Sequence, residues 1–270
     1  MSFQPALPLS GLAGWRFLQR TLPVQQEAFA KAPGLARDAD HFRARIGGIE
    51  SAEALVADRR LLTVALGAFG LQDDLANRFF IRRILEDGTT RDDALANRLA
   101  DKRYAEFSSA FGFGGSGPPA TQRPGFAETI IARFERQSFE IAVGAQDEAM
   151  RLALYAERDL AAAAAADGSA RTKWFRVMGT PPLRQVVETA LGLPSSFGQQ
   201  DLDRQIEVFR DRTERLVGFA DVEGFADPAA RETLIRRFLL QSEMAAAPTT
   251  APGAIALTLL QNARGGSLRL

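Results

Sequence analysis

The sequence predicts an all-α protein: an irregular multi-helix bundle built around one long central helix, with related helical hairpins. Three observations carry this. No run of the chain sustains the two-residue alternation of a half-buried strand. Phe126 to Ala166 contains no proline and repeats Phe126, Ile130, Phe134, Ile141, Ala145, Leu152 and Ala156 at near-helical spacing. A short element closing in Ala-Phe-Gly or Ala-Leu-Gly recurs three times, each glycine standing where a helix would end.

Residues 1–35 hold Pro5, Pro8, Pro23 and Pro33 together with Gly11, Gly14 and Gly34. That density of breakers argues against a long helix and predicts an N-terminal arm. A helical domain follows over 36–244. In it Asp40 is placed to cap a short helix over about His41–Ile46, and Ser51 to cap a longer one reaching about Phe69, on which Leu55, Leu62, Leu66 and Phe69 share a face. Asp73 and Asp74 open a third helix, where early carboxylates complement the helix dipole. Thr90-Arg91-Asp92-Asp93 resembles a capping box with Asp in place of Glu and opens a fourth helix ending near Phe111.

Gly112 to Pro119 suits neither a helix nor a central strand, so a loop or hinge is expected near 112–123. The proline-free stretch beyond it would form one helix of roughly 60 Å. Ile131, Val143, Met150 and Leu154 make its other faces apolar, so neighbours should pack around it as around a post. Asp167-Gly168 ends it; Pro181-Pro182, Asp201 and Asp227-Pro228 begin three further helices. Pro248 and Pro252 then mark 245–270 as a linker and C-terminal tail.

The recurring element is the strongest organisational signal. Ala57-Asp58-Arg59-Arg60 leads to Ala68-Phe69-Gly70-Leu71, and Ala100-Asp101-Lys102-Arg103 leads to Ala110-Phe111-Gly112-Phe113. A third copy lacks the charged opening and ends in Ala190-Leu191-Gly192-Leu193. Each reads as a helix closed by a left-handed glycine, with an apolar residue folding back on the last turn. Gly144, by contrast, is expected inside the long helix.

Composition narrows the function classes. Lys+Arg and Asp+Glu both total 33, so no global field draws the chain to nucleic acid or an anionic membrane. Only Lys31, Lys102 and Lys173 are lysines, the other cations being arginine; no ligand follows from that bias alone. The absence of cysteine removes disulfides, thiolate nucleophiles and cysteine metal sites. His41 is the single histidine, which excludes any metal site or mechanism needing two within one chain; at a helix start it is expected at the surface. The N-terminus lacks the basic and unbroken apolar regions of a cleavable signal peptide. The apolar stretch Ala254 to Leu260 falls far short of the roughly 20 residues of a membrane span.

Several motifs dissolve on inspection. Gly112-x-Gly114-x-x-Gly117 matches a dinucleotide fingerprint, but a helix precedes it and two prolines follow, where a strand and a helix are required. Asp201-x-Asp203 resembles the start of a calcium loop, yet Ile206 and Arg212 stand where glycine and glutamate are needed. Asp73-Asp74 and Asp92-Asp93 read as helix starts, and Ser195-Ser196 has no basic neighbour to activate it. Trp15, Trp174 and the 19 phenylalanines suit a core, not a base-stacking platform. No catalytic, cofactor-binding or metal-ligating residue is therefore assigned, and no cofactor. An enzyme would need a pocket assembled from arginines and carboxylates distant in sequence.

Four segments together carry a family resemblance over roughly residues 38 to 217. They are Asp58-Arg59-Arg60-Leu61-Leu62 running into Ala68-Phe69-Gly70-Leu71; Asp101-Lys102-Arg103-Tyr104 running into Ala110-Phe111-Gly112-Phe113; Arg151-Leu152-Ala153-Leu154-Tyr155; and Pro182-Leu183-Arg184 running into Ala190-Leu191-Gly192-Leu193-Pro194. The set resembles an all-helical bacterial family without an assigned activity, whose members are often encoded among flagellar genes. By association, the resemblance implies a flagellum-linked role. The expectation is a non-enzymatic structural or assembly protein, cytoplasmic or flagellar, whose partners are proteins. The second reading is a cytoplasmic adaptor or regulator that binds another protein's helix in a groove. The oligomeric state stays open.

Overall fold

Buried apolar side chains gather into two clusters, and one helix contributes to both. The computed structural model describes residues 3–115 and 117–246, which form thirteen α-helices linked by short loops and 3₁₀ turns, with no strand among the described residues. The first core is built by α2 (Pro33–Arg45), α3 (Ala52–Ala57), α4 (Arg59–Gly67), α5 (Arg78–Asp87), α6 (Leu95–Arg98) and α7 (Arg103–Phe111). The second is built by α1 (Gly11–Ala30), α9 (Glu148–Ala165), α10 (Ala170–Met178), α11 (Pro181–Ala190), α12 (Leu202–Val217) and α13 (Pro228–Ala246). Between them lies α8 (Phe126–Gly144), which sends Ile130, Ile131 and Phe134 into the first core and Phe139 and Val143 into the second.

The N-terminal segment departs from its expectation. Residues 11–30 form the helix α1 despite Pro23 in its interior, because Trp15 and Leu18 are sealed in the second core and that burial outweighs propensity. The breakers sit at the helix entrance: Gly11 has φ +59°, and a β-carbon at Gly14 would lie 2.1 Å from the Leu9 carbonyl oxygen. The residues ahead of α1 are tied down by buried Gln25, whose side chain bonds both the amide and the carbonyl of Ala6 at 2.7 and 3.2 Å.

The long central helix is also corrected. It is two helices, α8 and α9, packed against one another, with Asp147 capping α9 by accepting from the Met150 amide at 3.1 Å. Apolar spacing continues across the turn because both flanks face the same core, so periodicity alone hides the break. Gly144 is consequently the last residue of α8, and a β-carbon there would meet Arg151 Cδ at 2.5 Å; alanine at this position is no test of a helix interior.

Other boundaries shift for similar reasons. Asp40 lies inside α2, which starts at Pro33, and Ser51 caps α3 by accepting from Ala54. The helix expected to reach Phe69 is broken after Ala57 because Asp58 caps a new one, α4. Asp73 and Asp74 occupy a 3₁₀ turn ahead of α5. The helix expected after Thr90 is the short α6 followed by α7, which does end at Phe111. Unforeseen α10 is capped by Ser169, which accepts from the Thr172 amide at 3.2 Å. Helices α11, α12 and α13 begin at Pro181, after Asp201 and at Pro228 as expected. Residues 247–270 lie outside the described residues, so the tail stays an expectation.

The recurring element has the predicted geometry. Gly70, Gly112 and Gly192 have φ of +69°, +69° and +64°. The Leu71 amide reaches back to the Leu66 carbonyl and the Leu193 amide to the Glu188 carbonyl, each at 2.9 Å, which is the six-to-one bond of a Schellman cap. The charged openings correspond too: Asp58 accepts from the Arg60 amide at 2.9 Å, and Asp101 from the Arg103 amide at 3.0 Å. Gly70→Ala and Gly192→Ala should each destabilise by about 1 kcal/mol, since a β-carbon is strained at these φ values. Gly70→Ala should be the worse, because its β-carbon would lie 3.2 Å from Arg103 Nη1, whereas nothing lies within 4 Å at Gly192. Thermal melts check this, and stabilisation at both positions would refute the cap reading.

Candidate functional site

Where α8 passes from one core to the other, its buried face turns polar. Gln137 and Glu140 are 8% and 3% exposed, and both face Arg158 of α9. The Gln137 amide, oriented with its oxygen toward Arg158, accepts from Nη2 at 3.1 Å and donates to Glu140 Oε2 at 3.3 Å. Arg158 also grips Asp159 through Nε and Nη2, at 2.8 and 3.0 Å, and lies over the Tyr155 ring at 4.7 Å. Burial pushes the Glu140 carboxyl up to about 7, with Arg158 pulling it back and Asp159 raising it further. Burial works against the Arg158 cation, yet Asp159 and Glu140 outweigh it and hold the guanidinium above its ordinary range. Burial likewise drives the Tyr155 phenol well upward.

From α7 the network gains Arg103. Its guanidinium binds Asp101 through Nε and Nη2 and donates from Nη1 to the Gly70 carbonyl at 2.6 Å. The second copy of the recurring element thus clasps the helix cap of the first. His41 is drawn into a similar role: Nε2 lies 2.9 Å from Asp58 Oδ2, and the residue is half-buried, not on the open surface as expected. Burial raises the Asp58 carboxyl, but the amide bonds from Leu61 and Arg60 and the His41 contact outweigh it and leave it low.

This network forms the floor of a cleft of about 730 Å³ between the two cores. Six arginines line it, from four helices and a turn: Arg103, Arg123, Arg133, Arg136, Arg158 and Arg176. Only Glu106 and Asp159 are acidic among the lining residues. Arg103 and Arg158 are neutralised by the carboxylates just described. Among the described residues, Arg123, Arg133, Arg136 and Arg176 have no carboxylate within 4.0 Å. Partial enclosure raises the Glu106 carboxyl, Asp159 adds to this, and Arg133, Arg176 and Arg158 pull it back. In a chain of zero net charge, this is a local concentration of cations. A smaller groove of about 470 Å³ backs onto the same wall, sharing Arg103, Gln137 and Tyr155 and carrying Asp73, Glu148 and Arg151.

Two of the cleft's hydroxyls are committed to the backbone, Thr129 donating to the Gly125 carbonyl at 2.9 Å and Thr180 to the Arg176 carbonyl at 2.8 Å, while Ser109 is exposed on the wall. Arginine dominates the lining, and guanidinium groups are suited to holding an anion. No group of three or more metal-ligating side chains occurs among the described residues. The sequence motifs set aside above resolve into structural roles: Asp201 caps α12 through the Asp203 amide at 2.8 Å, Ser195 opens a 3₁₀ turn, and Trp15 and Trp174 are buried. Sequence reasoning did not find the cleft. Its arginines are scattered over 103–176, and only Arg133 and Arg136, one turn apart on the same helix, left a local trace.

No helix among the described residues is long and apolar enough to cross a membrane. A crystal structure of an Agrobacterium tumefaciens protein, determined by a structural genomics consortium, superposes with a TM-score of 0.73 at 28% identity, covering 90% of this chain and 99% of that one. No curated protein matches. The family model described as "Protein of unknown function (DUF1217)" matches residues 68–230, well over half of the chain and the whole arginine cleft from Arg103 to Arg176. The chain belongs to the DUF1217 family.

Proposed function

We propose that this protein is a non-enzymatic interaction protein linked to the bacterial flagellum, and that the cleft between its two cores receives a segment of a protein partner. The observation that carries the binding reading is the cleft itself: a concavity walled by α7, α8, α9 and α10, in which the unneutralised Arg123, Arg133 and Arg136 are exposed and Arg176 is half-buried. The flagellar link rests on the sequence resemblance alone. The Thr129 and Thr180 hydroxyls are committed to backbone carbonyls, and the exposed Ser109 has no histidine or lysine among the lining residues to activate it, which favours holding over nucleophilic chemistry. Glu140, the group whose carboxyl is raised furthest, is sealed behind Arg158 and Gln137, a position that suits a structural part.

Deleting the gene in the source organism should impair swimming or filament assembly, and the protein should fractionate with flagellar basal bodies. Normal motility with normal flagella would remove the flagellar half of the proposal. A protein found only in a soluble complex would favour the second reading, a cytoplasmic adaptor using the same cleft.

A further inference from the structure

We infer that the segment received in the cleft is rich in carboxylates, an acidic stretch of the partner protein gripped by Arg123, Arg133, Arg136 and Arg176. The inference rests on the protein-docking reading above and names its chemistry. These four guanidiniums come from α8, α10 and the turn ahead of α8, and no carboxylate of the described residues neutralises them. Clustering like charges is unfavourable in the free protein unless an anion arrives to offset it.

Planar guanidinium forks match carboxylate and phosphate alike, so the choice between them rests on the rest of the wall. Three rings line the cleft: Arg133 lies over Phe69 at 5.1 Å, Arg158 lies over Tyr155 at 4.7 Å, and Phe126 packs against Phe111 with centroids 5.2 Å apart. A nucleic acid would therefore find two of the three rings covered and no series of bare faces on which to stack successive bases. An arginine stacked on a ring keeps its N–H edge free, which suits a carboxylate approaching in the plane. Glu106 and Asp159 interrupt the positive wall and would oppose a continuous phosphate backbone. They are compatible with a peptide whose carboxylates are spaced by neutral residues, and Phe126, Ile130 and Leu183 offer apolar contact for those.

The test uses the full chain and a capped, fluorescently labelled ten-residue peptide of alternating glutamate and alanine, with single-stranded oligothymidine and inorganic phosphate as competitors. Fluorescence anisotropy should show saturable peptide binding that weakens with salt. Substituting both Arg133→Gln and Arg176→Gln should weaken it about tenfold, as expected for losing two solvent-accessible ion pairs. The free double variant should keep a cooperative thermal melt and the helical circular dichroism of the wild type, so that the loss of binding is read on a folded protein. A control with Arg204→Gln and Arg215→Gln, exposed on α12 and paired there with Glu207 and Asp211, should bind like the wild type. No peptide binding, or equal weakening in both double variants, would overturn the inference. So would tighter binding of oligothymidine than of peptide, or complete displacement by stoichiometric phosphate. If the peptide fails while a protein partner is still trapped in the cleft, the acidic chemistry falls and the docking reading stands. If it binds through these arginines and motility is normal, the inference stands and only the flagellar link falls.

Discussion

Arg158→Ala should destabilise the protein by about 3–5 kcal/mol at pH 8, because it strands a buried carboxylate without its cation. Glu140 is 3% exposed and its nearest positive charge is Arg158, while Asp159 repels it. The loss should depend on pH in a definite direction. The folded-state carboxyl of Glu140 is raised to about 7 from an ordinary value of 4.5, so between those values the folded protein holds a proton that the unfolded chain has released. Its contribution to stability is greatest below about pH 4.5, declines as pH rises toward 7, and stays low above that. Protonated Glu140 needs no cation, so the penalty of Arg158→Ala should shrink markedly at pH 5. Glu140→Gln should flatten the same slope, worth about 3 kcal/mol across the window. Denaturant unfolding of the three proteins at pH 5 and pH 8 measures this, and equal losses for Arg158→Ala at both would contradict the account.

Trp174→Ala should cost about 3–5 kcal/mol through lost apolar burial and a residual cavity. The indole is 0% exposed, stacks on Phe209 with centroids 5.5 Å apart and planes 3° from parallel, and donates from Nε1 to the Ala220 carbonyl at 3.2 Å. Removing it therefore empties a site, ends a ring pair and orphans a carbonyl. Trp174→Phe keeps the stacking and should recover more than half of the loss. The midpoint of guanidinium unfolding should fall with its slope unchanged; a loss below about 1 kcal/mol would mean that α10 is not anchored in the second core. Since α10 also carries Arg176, this packing sets one wall of the cleft.

The contrast between what the sequence revealed and what it hid has a physical pattern. Local chemistry was legible. Glycines forced to positive φ, an Asp, Ser or Pro at a helix start, and the lack of strand alternation are set by neighbouring residues, so the Gly70 and Gly192 caps and the starts of α11 and α13 were read from the chain. Breaks between helices that share a core face were not. Asp58 ends one helix and caps the next, and Asp147 caps α9 just past the end of α8, neither disturbing the apolar period. Helix α1 was missed for the opposite reason: local breakers were conspicuous, and burial of Trp15 and Leu18 by distant helices overrode them. The cleft was invisible because its arginines are scattered along the sequence and meet only when α8 bridges the two cores.

That bridging is the centre of the account: two cores, one shared helix and an arginine-walled cleft proposed to hold a protein partner. Site-specific photo-crosslinking in living cells tests it most directly. A photoreactive residue would replace Thr129 or Ala162, both exposed lining positions, and for comparison Arg37 or Arg204, exposed on α2 and α12 away from the cleft. The account predicts a discrete protein adduct from the two cleft positions, mapping to an acidic segment of one partner, and none from the others. Adducts from Arg37 or Arg204 with none from Thr129 and Ala162 would contradict it.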